Sequence, residues 1–101
     1  MLGNLEKAIT KRIVSSAIKQ GYSVAALADG DADVKHCKDL HKVLDGAFSY
    51  DCVDLCIKSR DVNGFICINF FNDGLDIISD YSVNIENFVS GLNFDDLPVS
   101  L

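Results

Sequence analysis

Basic residues stop at Arg60: no lysine, arginine or histidine follows it, although Asp61, Asp73, Asp76, Asp80, Glu86, Asp95 and Asp96 do. The last 41 residues carry formal charge -7, while the first 60, with nine basic and eight acidic side chains, sum to +1. Proteins bind nucleic acid largely by neutralising phosphates with lysine and arginine. A chain of net charge -6 with a wholly acidic half is therefore not expected to bind DNA or RNA directly. Its field favours a basic protein surface instead. Lys7, Lys11, Arg12 and Lys19 do cluster near the N-terminus, but Glu6 lies among them, and a lysine-edged helix is ordinarily a solvated face.

Other absences narrow the class further. A single proline together with 49% hydrophobic residues argues against a disordered chain. No apolar run approaches the roughly 20 residues of a membrane-spanning helix. The opening MLGNLEKAITKR lacks the apolar stretch of a secretory signal, so the expected compartment is the cytoplasm and no membrane partner is expected. Gly-x-Ser-x-Gly, phosphate-loop and dinucleotide fingerprints are missing. No cofactor is expected, and the catalytic checklist is too empty for an enzyme.

What remains is a chain rich enough in apolar residues to build a core. At 101 residues it fits one domain that removes about two-thirds of the unfolded surface from water. Cys37, Cys52, Cys56 and Cys67 are not needed as staples and are read as reduced thiols. Cys67, in the most apolar segment, is expected to behave as a small hydrophobe.

Leu5, Ala8, Ile9, Ile13, Ala17 and Ile18 recur at helical spacing, predicting an amphipathic helix over 4–20 opened by Asn4 and stopped by Gly21. Residues 22–28 and 32–36 flank Asp29-Gly30, a favoured hairpin-turn pair. Asp39 precedes Leu40, Val43, Leu44, Ala47 and Phe48, the stripe of a second, shorter helix that Gly46 weakens. Strict alternation over 52–58 predicts a strand with Val53, Leu55 and Ile57 on one face. Across an expected Asn63-Gly64 turn, FICINFF is apolar on both faces and reads as an interior strand. A second turn at Asn72-Asp73-Gly74 leads into an expected strand over 75–81.

Asn84 then reads as the cap of a last helix, with Val83 stapled to Phe88 and a buried stripe of Ile85, Phe88, Val89 and Leu92. The order α-β-β-α-β-β-β-α predicts one α+β domain over 1–101: an antiparallel sheet of about five strands with helices packed on one face. The tail 94–101 is expected to dock on the sheet or to be loose.

Metal motifs fail on spacing. Asp29, Asp31 and Asp33 imitate a calcium loop, but Val34 stands where glycine is needed and Leu40 where the closing glutamate belongs. His36, Cys37, His41, Cys52 and Cys56 include zinc-binding atoms without the paired short spacings of a structural site. Asp73, Asp76 and Asp80 have no recognisable ligand spacing, so no metal is expected. Cys37 is next to His36, but neighbours on an extended chain point to opposite faces, which leaves the thiol without a base.

Gly21-Tyr22-Ser23-Val24 leading to Asp29-Gly30, and Asn72-Asp73-Gly74 leading to Ile78-Ser79-Asp80-Tyr81-Ser82, resemble a recurrent pattern in small accessory proteins of bacteriophages, prophages and plasmids. The resemblance spans roughly residues 15–90, with alanines in the first hairpin and no tryptophan as departures. It carries no activity and implies a context: an accessory gene of a mobile element, acting in the cytoplasm of a bacterial host cell. The leading expectation is an inhibitory binding module of the anti-CRISPR or anti-restriction type. Its acidic half would cover a basic surface of a nucleic-acid-binding host protein or complex. Asp73, Asp76, Asp80 and Glu86 would steer and rim the contact, with Tyr81 as aromatic anchor. An immunity protein neutralising a cognate toxin, and an accessory protein whose acidity only maintains solubility, are the alternatives.

Overall fold

The computed structural model describes residues 3–28, 31–92 and 94, with backbone alone for 28 and 31–35. The chain forms α1 (Asn4–Lys19), β1 (Ser23–Ala28), β2 (Asp31–Cys37), α2 (Leu40–Ala47), β3 (Cys52–Lys58) and β4 (Asn63–Asn69). A 3-10 turn (Gly74–Ile77), β5 (Ile78–Tyr81), a second 3-10 turn (Val83–Ile85) and α3 (Glu86–Ser90) complete it. This is an α+β fold on a five-stranded antiparallel sheet in the order β2-β1-β3-β4-β5.

Helix α1 is capped by Gly3, not Asn4: the Lys7 amide donates to the Gly3 carbonyl at 3.1 Å, and no side chain supplies a cap. Gly21, at φ +95°, stops it as expected. The expected stripe is present, with Ile9, Ile13 and Ala17 buried and Leu5 and Ile18 packed beside them; it is widened by Thr10 and Val14, while Ala8 lines an open recess. Thr10 can be buried because its hydroxyl donates to the Glu6 carbonyl at 2.9 Å. In α2, Asp39 caps as expected, its carboxylate accepting from the Lys42 amide at 3.2 Å.

The expected hairpin strands 22–28 and 32–36 pair antiparallel with Ala28 opposite Asp31, and the turn residues Asp29 and Gly30 lie outside the described residues. Three later expectations are corrected. Asn63-Gly64 is not a turn. It opens β4, and the reversal is made by Ser59–Val62, with the Ser59 amide donating to the Val62 carbonyl at 2.7 Å. Glycine is required at 64 for another reason: a Cβ there would lie 2.5 Å from Ile85 Cγ2 and 2.7 Å from Ser82 Oγ.

The expected strand 75–81 is shortened to Ile78–Tyr81, because Gly74 (φ +58°) starts a 3-10 turn that absorbs Leu75 and Asp76. Asn84 does not cap α3. Its amide reaches back to the Asn63 carbonyl at 2.9 Å, and Val83 is 83% exposed, so no staple forms. The predicted stripe of α3 is present nonetheless, with Ile85 and Phe88 buried and Val89 and Leu92 packed beside them.

One face of the sheet, carrying Val24, Ala26, Val53, Leu55, Ile57, Ile66 and Ile68, is continuous with the buried residues of α1 and α2 in a single core. Phe94 packs against that core, and the rest of the expected tail lies outside the described residues.

Candidate interaction surface

β5 is an edge strand, and the connection from β4 to α3 brings the acidic half of the chain to that edge. Asp73 and Asp76 belong to one turn, the Asp76 amide donating to the Asp73 carbonyl at 3.2 Å, and both side chains are exposed. A strand over 75–81 would put Asp76 and Asp80 on one face. Asp76 lies in the 3-10 turn instead, and a bulge separates Asp80 from Ile78: Ile68 opposes Ile78 while Cys67 opposes Asp80, leaving Ser79 as the extra residue. The bulge lets Ile78 pack on the core while Asp80 stays exposed on the other face.

Tyr81 opposes Ile66 and is half-buried against the core. Glu86 is exposed in the first turn of α3, beyond the far end of β5. The five predicted residues are thus spread along an edge, with Asp73 and Asp76 at one end, Asp80 midway and Glu86 at the other. The four residues of β5 alone span roughly 13 Å.

Sequence reasoning missed two residues at this edge. Phe71 is 74% exposed and Leu75 54% exposed, although the apolar run FICINFF predicts an interior strand that includes Phe71. The strand ends at Asn69. Phe70 turns inward, its ring 6.0 Å from that of Phe48 and its amide donating to the Asp51 carbonyl at 2.7 Å. Phe71 is then carried outward, its amide donating to Asn69 Oδ1 at 3.0 Å. The available signal was the placement of Phe71 directly before Asn72-Asp73-Gly74, where the chain must leave the sheet.

The other sheet face carries Asp54 opposite Cys67, whose thiol donates to Asp54 Oδ1 at 2.8 Å. That hydrogen bond, burial and the carboxylate charge push the Cys67 thiol above its ordinary range, against a smaller lowering by Ser79. Burial and then Asp54 push Cys56 up as well. These thiols stay protonated at neutral pH and are poor nucleophiles. Cys37 packs on the core while its neighbour His36 is exposed. Among the described residues no group of three or more His, Cys, Asp or Glu could hold a metal ion, and no helix is long and apolar enough to cross a membrane.

Comparison with protein-family models, curated proteins and solved structures gives no match. The functional reading rests on the chemistry of this chain alone.

Proposed function

We propose that this chain is a small non-enzymatic binding protein of a bacteriophage or related mobile element, which inhibits a bacterial host protein by covering its basic, nucleic-acid-binding surface. The observation that supports the reading is the exposure of Asp73, Asp76, Asp80 and Glu86 in a half of the chain that contains no basic residue. Such a surface attracts a cationic partner over a screening length of about 8 Å at physiological ionic strength and repels the nucleic acid it displaces. Occupation of the surface is the whole mechanism.

The test begins with capture from bacterial lysate at low salt and release at high salt, followed by binding kinetics with the purified partner. Reversing Asp73, Asp76 and Asp80 to lysine is expected to slow association at least tenfold at low salt, with the difference shrinking as salt rises. Unchanged association kinetics would leave the charge division as a matter of solubility.

A further inference from the structure

We infer that the β4–β5 connection is the anchor of the binding surface, with Phe71 and Leu75 entering an apolar recess whose lysine or arginine rim pairs with Asp73 and Asp76. The inference rests on the proposed basic partner and adds to it an apolar element, moving the anchor away from Tyr81, which is half-buried against the core. Apolar side chains exposed singly are ordinary, whereas exposed apolar groups gathered together mark an interaction site, and Phe71 at 74% and Leu75 at 54% share one short connection. Val83, the other strongly exposed apolar residue, lies beyond β5, outside this connection.

The connection is also held in place before any partner arrives. The Asn72 side-chain amide donates to the Asp76 carbonyl at 3.0 Å, closing the loop on itself. The Gly74 amide donates to Glu6 Oε2 at 2.8 Å, tying the loop to the first turn of α1. Phe70, buried against Phe48, fixes its base. A loop ordered in advance loses little entropy on binding, and an aromatic anchor beside rim charges is the usual composition of a binding hot spot. Charge selects the occupant: Asp73, between the apolar pair, and Asp76, directly after it, are exposed, and the loop's own half of the chain has no basic residue, Lys7 beside Glu6 being the exposed cation on the α1 turn that holds it. The partner is therefore a cationic protein surface with an apolar recess, and an anionic lipid surface would be repelled.

The experiment is an NMR titration of the isotope-labelled full chain with two synthetic probes, a short amphipathic helical peptide of leucine and lysine and an oligolysine of equal charge. Shifts concentrated on residues 71–76, with affinity for the leucine-lysine peptide at least tenfold above that for oligolysine, are expected. The Phe71→Ser/Leu75→Ser variant should remove that preference while keeping the remaining amide spectrum intact. Equal affinity for both probes, shifts centred elsewhere, or no binding would overturn the inference. If Asp73→Asn/Asp76→Asn abolishes binding and the serine variant does not, the anchor fails while the electrostatic reading stands. If neither variant matters, both fail.

Discussion

Asp54 decides the chemistry of its own sheet face at the level of a single side chain. By accepting the Cys67 thiol hydrogen at 2.8 Å it stabilises the protonated form and opposes the thiolate. Replacing Asp54 by Asn removes the charge, so iodoacetamide labelling of Cys67 at pH 8 should accelerate several-fold, as followed by peptide mass spectrometry. The same shifts predict a pH dependence of stability. The folded chain holds the Cys56 and Cys67 protons to higher pH than the unfolded chain does. Their contribution is therefore constant below the ordinary thiol range near 8.5 and is lost as pH rises through the higher folded values. Melting temperature should fall more steeply as pH rises above the ordinary thiol range in the native chain than in a Cys56→Ala/Cys67→Ala variant. Gly64 is the second decisive residue. A methyl group there would meet Ile85 and Ser82 within 2.7 Å, so Gly64→Ala should destabilise the fold. Overpacking of this kind costs about 1–3 kcal/mol, to be read from urea denaturation.

Among the strands, β5 meets several structural demands in the least length. Four residues must join an acidic turn, keep Asp80 exposed and pack Ile78 and Tyr81 on the core, and the bulge at Ser79 reconciles these demands by changing parity within the strand. Ser79 also donates its hydroxyl to the Cys67 carbonyl at 3.2 Å, tying the bulge to β4. Tyr81 acts as packing in this arrangement. Tyr81→Ala should lower the denaturation midpoint by an amount typical of a half-buried aromatic, about 2 kcal/mol, which is below the 3–5 of a fully buried one. Its effect on partner binding should not exceed what the lost stability explains, as judged at temperatures where the variant remains folded.

For the molecule as a whole, charge is expected to be separable from fold, although the Asp80 carboxylate accepts from the Tyr81 amide at 2.8 Å. Asp73, Asp76 and Asp80 are solvent-exposed, so reversing all three to lysine should move the melting temperature by no more than a few degrees. Each reversal changes the charge by two, and three bring the net value from -6 to zero. Solubility at pH 7 should therefore drop even though the fold persists, because colloidal repulsion vanishes near zero net charge. Precipitation assays alongside circular dichroism melts check both outcomes. A chain that unfolds on reversal would show that the carboxylates serve the fold.

Periodicity by itself determined most of the elements of this protein. The alternation of Cys52–Lys58, the stripe of Leu40–Ala47 and the capping aspartate before it are local patterns, and the chain follows them because their hydrophobic faces match the repeat of one secondary structure. The division of charge at Arg60, on which the candidate surface rests, is likewise written in the sequence. Tertiary contact decided the rest. Gly64 is excluded from a turn because Ile85, 21 positions later, needs its missing side chain. Thr10 is buried because a backbone carbonyl one turn earlier satisfies it. Gly74 ends one path and begins another because the Glu6 carboxylate holds its amide from 68 residues away. Phe70 and Phe71 are the same residue type side by side, and no local rule separates them; only the end of β4 against Asp51 and Phe48 sends one ring into the core and the other into water.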